Sequence, residues 1–315
     1  MKKFGLLILT LALVSLALIL LSLRFPTPFH IAPSTFAPRA KLEKSLPKLK
    51  LTYLQTGVIT GWEAFLDVGG SLFHQRPMLL GALLVEHPKG TLLIDAGLGK
   101  NFPQEWQRAP WSTHLLPTRF QEGLSDYKPG FPQLEKVDAI LITHAHWDHL
   151  SGINDLPGVP VYLLTQEVEW LNGLKNPYSH HVFPEHLAGL QGRVRPIELK
   201  KVPYENFAES LDWFGDGSVV LVPLPGHTPG SLGIFLNLSS EQRYLVVGDA
   251  LWGTDVEGLP ERRTWLAEQF GDEDRTEARR TRELLRELVK HSNEITLVPV
   301  HEEKALKKWQ PAQDS

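Results

Sequence analysis

From residue 50 onward, short apolar stretches are separated by clusters of turn-forming residues. Residues 79–85 and 91–94 flank His87-Pro88-Lys89-Gly90, a turn sequence, and predict a β-hairpin. Residues 137–143, 219–224, 244–247 and 295–300 are apolar without alternation, which predicts strands covered on both faces. Between residues 273 and 291 the period changes. There Ala278, Leu285 and Leu288, with Leu284 and Val289 beside them, share one helical face opposite Arg and Glu. Strands interspersed with helices predict sheets covered by helices. No repeat recurs and no linker divides the chain again, so residues 51–310 are expected to form one domain.

The amino terminus follows another pattern. Lys2 and Lys3 precede an uncharged apolar run over residues 4–23. At about 1.5 Å per residue a helix of that length spans about 30 Å, a bilayer core. Arg24, Phe25 and Pro26 follow, without the small residues of a cleavage site. Residues 1–23 are therefore expected as a membrane anchor, a cleaved signal being the alternative. The rest of the chain is then expected on the periplasmic or extracellular side. Arg24, Arg39 and Lys41 oppose Lys2 and Lys3 in the charge count, which leaves orientation open. Residues 24–50 contain five prolines and the lysines Lys41, Lys44, Lys48 and Lys50, and read as an extended linker.

Composition narrows the function. Lys plus Arg number 32 against 36 Asp plus Glu in 315 residues, for a net charge of −4. That balance offers no field for nucleic acid, and none is expected as a partner. The chain has no cysteine, which excludes disulfides, thiolate ligands and a cysteine nucleophile.

Chemistry enters where the apolar runs stop. Residues 137–143 lead into His144-Ala145-His146-Trp147-Asp148-His149. Imidazole and carboxylate are common zinc ligands, and a turn after a strand lets alternate side chains converge. Histidine occurs 13 times in 315 residues, so chance gives such a pattern in about one chain in a thousand. A polar loop of solvated histidines is the bland alternative. Three further runs end in the same way. Residues 219–224 lead into Pro225-Gly226-His227-Thr228-Pro229-Gly230, residues 244–247 into Gly248-Asp249-Ala250, and residues 295–300 into His301. A lone His or Asp at a strand end is usually structural. Four strand ends sharing the feature can gather along one edge of packed sheets and supply ligands for two metals.

These residues resemble the metallo-β-lactamase superfamily. THAHWDH, PGHTPG and GDA, with the late His301, match its signature sites in order and spacing over roughly residues 51–305. The resemblance implies an α+β fold, a four-layer αββα sandwich, here preceded by one N-terminal apolar helix. It implies two zinc ions, other divalent metals being acceptable. His144, His146 and His227 would hold the first, and Asp148, His149 and His301 the second, with Asp249 bridging both. Asp95, in Leu93-Ile94-Asp95-Ala96-Gly97, matches the family's aspartate that orients a ligand histidine from behind; a plain turn aspartate is the alternative. The implied chemistry is hydrolysis by a metal-bridging hydroxide that attacks an ester, lactone, thioester or amide carbonyl of a small acyl substrate. Asp148 and Asp249 would align the hydroxide and accept its proton.

Single residues weigh the branches of the family. Zinc β-lactamases generally lack a bridging aspartate, so Asp249 stands against them. The diiron flavoproteins carry glutamate where His146 stands. Nuclease members add a nucleic-acid-binding region that this chain does not show. The layout is closest to the N-acyl homoserine lactonases, next to the hydroxyacylglutathione hydrolases. Lactonases commonly place a tyrosine three residues after the bridging aspartate. Here Trp252 stands there, a candidate substrate contact whose indole donates one hydrogen bond but exchanges no proton. A phosphodiesterase of the same fold and a non-catalytic metal-binding sensor are the alternatives. Two aromatic sets, Phe102, Trp106, Trp111, Phe120, Tyr127 and Phe131, then Trp170, Tyr178, Phe183, Phe207, Trp213 and Phe214, either wall an acyl cleft or pack the covering helices. His180 and His181 read as surface residues.

Overall fold

The computed structural model describes residues 45–111, 113–115, 118–119, 136–255 and 258–309. Two mixed sheets form its centre. The first sheet contains β1 (Lys50–Trp62), β2 (Gln75–His87), β3 (Gly90–Ile94), β4 (Thr118–Arg119), β5 (Ala139–Leu141), β6 (Val161–Leu164) and β7 (Val194–Ile197), in the order β4-β1-β2-β3-β5-β6-β7. The hairpin ladders β1–β2 and β2–β3 are antiparallel, whereas β3, β5, β6 and β7 run parallel. The second sheet contains β8 (Leu211–Asp212), β9 (Val219–Pro223), β10 (Leu232–Asn237), β11 (Arg243–Gly248) and β12 (Ile295–Pro299), ordered β12-β11-β10-β9-β8. Only its β11–β12 pair is parallel.

Alternation along the buried strands separates three apolar layers. Leu221, Ile234 and Val246 pack with Leu83, Val85, Leu92 and Leu141 between the two sheets. Their neighbours Val220, Phe235 and Leu245 point away and meet Leu285 and Leu288. These leucines belong to the helix Arg275–His291, capped by Asp274, whose side chain accepts the N–H of Thr276 and Glu277. On the far face of the first sheet, Leu93, Ile140 and Leu163 meet Leu171 and Leu190 from the helices Thr165–Gly173 and Pro184–Leu190. Helices thus cover both outer faces of the paired sheets. Each fully buried Leu or Val contributes about 2 kcal/mol relative to exposure.

The membrane reading is corrected here. No helix among the described residues is long and apolar enough to cross a membrane. The longest, Arg275–His291, has 17 residues and carries Arg and Glu on its outer face. It is neither long enough nor apolar enough for a bilayer. The expected transmembrane helix, the membrane partner and the periplasmic or extracellular placement are accordingly withdrawn. Residues 4–23, on which they rested, lie outside the described residues, as do residues 24–44 of the linker. The first described strand begins at Lys50, and Leu49 already packs between the sheets.

Candidate metal centre

Five of the sequence-derived positions follow strand ends along one edge of the sheets. Asp95 directly follows β3, Asp249 directly follows β11, and His301 lies two residues after β12. His144 lies three residues beyond β5, and the next turn, Trp147–Leu150, is a single helical turn that carries Asp148 and His149. His227 comes from the loop after β9. All seven expected ligands are buried, from His144 at 0% exposure to Asp148 at 8%.

Their polar atoms converge. His227 Nε2 lies 3.1 Å from His144 Nε2 and 3.0 Å from His146 Nδ1. His301 Nε2 lies 2.8 Å from Asp249 Oδ1 and 3.4 Å from Asp148 Oδ2. His149 Nε2 lies 3.4 Å from Asp249 Oδ1 and 3.6 Å from Asp148 Oδ2. Asp249 Oδ2 is 3.6 Å from His227 Nε2, so this carboxylate touches both halves of the cluster. Three overlapping groups have ligand atoms within 4.8 Å of one another: His144, His146 and His227; His144, His149 and Asp249; Asp148, His149 and His301. Ligands about 2 Å from one tetrahedral ion stand about 3.3 Å apart, close to the nitrogen spacings seen here.

The backs of the rings decide which nitrogen faces inward. His149 Nδ1 donates to Asp95 Oδ2 at 2.9 Å, and His301 Nδ1 donates to the carbonyl of Leu79 at 2.7 Å. Carboxylate and carbonyl only accept, so Nδ1 carries the proton and a neutral ring turns its Nε2 lone pair to the cluster. The Thr143 hydroxyl donates to Asp95 Oδ2, which leaves its oxygen to accept from His144 Nδ1 at 3.2 Å. Asp95 therefore orients two histidines, one directly and one through Thr143. Its own backbone, at φ 58°, is left-handed and held by Asp95 N donating to the carbonyl of Leu141. His149 Nε2 and Asp249 Oδ1 are buried without a well-formed hydrogen bond, as metal-ligating atoms would be.

Electrostatics divides the cluster. Burial, reinforced by the neighbouring histidines, holds His144 and His146 well below the ordinary imidazole range, and burial also lowers His227. These three rings are neutral, the form with a lone pair to offer. Burial also acts against the charged form of His149 and His301, but Asp148 and Asp249, with Asp95 at His149, outweigh it and raise both. Burial opposes ionisation of Asp249, yet His301 and His149 hold it well below the carboxylate range.

Sequence reasoning missed the supports behind this shell. Glu167, on the helix Thr165–Gly173, is fully buried and accepts Ala145 N at 2.7 Å and Gly230 N at 3.0 Å. It ties the loop of His144 to the loop of His227. Asp272 Oδ1 accepts from His227 Nδ1 at 3.4 Å, and Arg263 packs beside both. In the sequence Glu167 is one acid on a polar helix, and Gly271-Asp272 looks like an ordinary helix boundary. Neither carries a local signal.

Glu167→Gln tests the first support. The amide would present its own N–H to one of the two backbone donors and leave that donor unpaired. At pH 5 the expected loss is about 1–3 kcal/mol, read from urea denaturation. Burial pushes the Glu167 carboxyl up to about 7, against the donors Thr228, Ala145 and Gly230. The folded chain thus holds this proton more tightly than the unfolded chain, whose carboxyl keeps its ordinary 4.5. The associated stability is complete below 4.5 and is lost as pH rises through about 7. Glu167→Gln should lack that decline; an unchanged pH profile would remove Glu167 from this role.

A cleft opens over the cluster. Ile59, Phe65, Leu66, Met78, Trp147, Trp252 and Phe270 form its apolar wall, with His146, Asp148, His227, Asp249 and His301 at the base. His181, expected at the surface, also lines it, and its Nε2 donates to the carbonyl of Phe270 at 2.8 Å. His180 instead pairs with Glu273 at 2.7 Å. The aromatic inserts mostly pack. Phe102 and Phe183 are buried and stack with Trp106 and Trp147 behind the cleft. Phe207 belongs to the layer under the helix Arg275–His291, and Trp213 and Phe214 flank the central layer. Trp170 packs against the far face of the first sheet, Tyr178 against Phe183, and Trp111 is exposed. Phe120, Tyr127 and Phe131 lie outside the described residues.

Paired mixed sheets with a buried histidine–carboxylate cluster at their strand ends define a metal-dependent hydrolase. The chain belongs to the metallo-β-lactamase superfamily, whose family model matches residues 82–295. Among curated relatives, "Probable metallo-hydrolase YflN" of Bacillus subtilis (strain 168) is 28% identical over 223 residues, 68% of this chain and 74% of that protein. An N-acyl homoserine lactone hydrolase, solved with N-hexanoyl-L-homoserine at its catalytic metal centre, superposes with a TM-score of 0.57. It shares 16% identity and covers 84% of this chain and 97% of its own. The dizinc quorum-quenching lactonase AidC gives a TM-score of 0.53 at 19% identity, over 84% of this chain and 90% of that one. At such identities these two structures show the fold.

Proposed function

We propose that the chain is a dinuclear zinc hydrolase that opens the ester, lactone or thioester carbonyl of a small apolar acyl substrate, with N-acyl homoserine lactones the first candidates. The convergence of five histidines and two aspartates on one buried point carries this reading. His144, His146 and His227 would hold one ion, Asp148, His149 and His301 the other, and Asp249 both. Bound ions of this kind polarise a carbonyl and make water acidic enough to react near neutral pH. Asp148 and Asp249 stand at the base of the cleft, where their carboxylates can orient that water and take up its proton.

The cleft favours an acyl substrate over a charged one. Its wall includes six large apolar side chains beside Trp252, and among the described residues no Lys or Arg lines it. Among the described residues a phosphodiester or a glutathione carboxylate would meet no lysine or arginine there, whereas an alkyl chain would be desolvated against Phe65, Met78 and Phe270. Trp252 contributes ring surface to the wall, while its N–H is donated to Asp249 Oδ2 at 2.8 Å.

The test is metal analysis alongside turnover. Protein purified without chelator should carry two zinc equivalents and hydrolyse an N-acyl homoserine lactone, with KM falling as the acyl chain lengthens. A reproducible single equivalent, unchanged in Asp148→Ala, would refute the dinuclear reading. Turnover of a bis-aryl phosphodiester alone would overturn the acyl preference. Turnover of none among lactone, glutathione thioester and phosphodiester would leave a metal-binding sensor.

A further inference from the structure

We propose that Arg263 is a positioning residue that fixes the distance between the two halves of the metal centre, acting through Asp249, Trp252 and Asp272. The inference rests on the dinuclear reading above. His227 and Asp249 follow β9 and β11, which are not neighbours, since β10 lies between them. Their loops therefore need a tie that the sheet ladder does not provide. Arg263, 5% exposed, sits just ahead of the helix Trp265–Gly271 and reaches both.

One arm of the guanidinium, Nη2, donates to the backbone carbonyl of Asp249. The other, Nη1, donates to Asp272 Oδ1 at 2.7 Å, and the same oxygen accepts from His227 Nδ1. Asp272 is kept in place from its other side by Arg282 Nη1, 3.0 Å from Oδ2. The guanidinium also lies over the Trp252 ring, 3.8 Å from its centre. That indole is the one whose N–H donates to Asp249 Oδ2 at 2.8 Å. Asp249 is thus gripped at its carbonyl by Arg263 and at its carboxylate by a ring that Arg263 covers. His227 is gripped through Asp272.

Only a planar, forked cation meets these demands together. It must donate along two directions in one plane and present a flat face to an aromatic ring. A lysine ammonium is compact, so Arg263→Lys should keep the charge and lose the tie. The indole of Trp252 takes part through its N–H, so Trp252→Phe isolates that single bond while keeping ring surface in the cleft.

The experiment titrates metal-free, full-length protein with Zn²⁺ by calorimetry and with Co²⁺ by visible absorption. Wild type, Arg263→Lys, Arg263→Met and Trp252→Phe are compared after circular dichroism shows a native fold. Wild type should take two ions. Both Arg263 variants should bind them about 10- to 100-fold more weakly, as loss of a partner behind metal ligands commonly does, and change the cobalt spectrum. Trp252→Phe should change the spectrum with a smaller loss of affinity. Wild-type affinities and spectra in folded Arg263→Met and Trp252→Phe would overturn the proposal. If Arg263→Met does not fold, an unaltered cobalt spectrum in Trp252→Phe overturns it alone. Fewer than two ions in the wild type would instead refute the dinuclear reading, a separate result.

Discussion

Asp249→Asn is expected to lower turnover by on the order of a hundredfold or more while the fold stays native. The side chain keeps its volume but loses the charge that faces both halves of the centre. Oδ1 lies 2.8 Å from His301 and 3.4 Å from His149, and Oδ2 lies 3.6 Å from His227. An amide nitrogen in either position can neither ligate a metal ion nor take up a proton, and an amide oxygen is a weaker ligand than a carboxylate. Zinc content should fall toward one equivalent, and kcat should drop more than KM rises. Full zinc content with a rate within a few-fold of wild type would show that Asp249 does not serve both ions.

Gly226→Ala should produce the largest loss of stability of any single methyl addition near the site. Gly226 has φ 125°, and a Cβ there would stand 2.1 Å from Ala278 N and 2.3 Å from Ala278 Cα. Both are backbone atoms of the helix Arg275–His291, so nothing flexible can yield. The Gly226 carbonyl also accepts the N–H of Asp274, the residue that caps that helix. Overpacking and left-handed strain together should cost about 3 kcal/mol or more. Because the next residue is His227, zinc affinity should fall with stability. Urea denaturation and zinc analysis of the same preparation test both; an unmoved midpoint would mean that the helix shifts freely.

Much of this architecture is legible in the sequence because burial on both faces leaves a plain mark. The runs at 219–224 and 295–300 become Val219–Pro223 and Ile295–Pro299, and the helical period at 273–291 becomes Arg275–His291. The hairpin is where the Pro-Lys-Gly turn put it, although its first strand starts at Gln75, in a stretch with polar residues. The strand Lys50–Trp62 left no such mark, since the exposed Lys50 and the half-buried Thr52, Gln55 and Thr60 are spread between its apolar residues. Residues 137–143 contain only a three-residue strand, Ala139–Leu141, because the chain leaves the ladder early to present His144. The expected ligand positions share one motif-rich edge and could be named from sequence. Glu167, Asp272 and Arg263 could not, because their role depends on loops that meet only after folding. The cleft wall was hidden for the same reason: Phe65 and Phe270 are about two hundred residues apart in the chain yet face each other with ring centres 6.2 Å apart.

The anchoring of His301 to Leu79, through its ring and through its own carbonyl, which accepts the N–H of Leu79, sets an order of assembly. On a ribosome the chain would present His144, His146 and His227 while the last strand was still unmade. In the proposed ligand set, one ion could be captured at that stage. The second must wait until His301 has emerged and crossed to the hairpin of the other sheet. On that reading, loading of the second ion would report that the carboxyl-terminal strand has docked, and a chain stopped short of His301 would lack one of that ion's ligands.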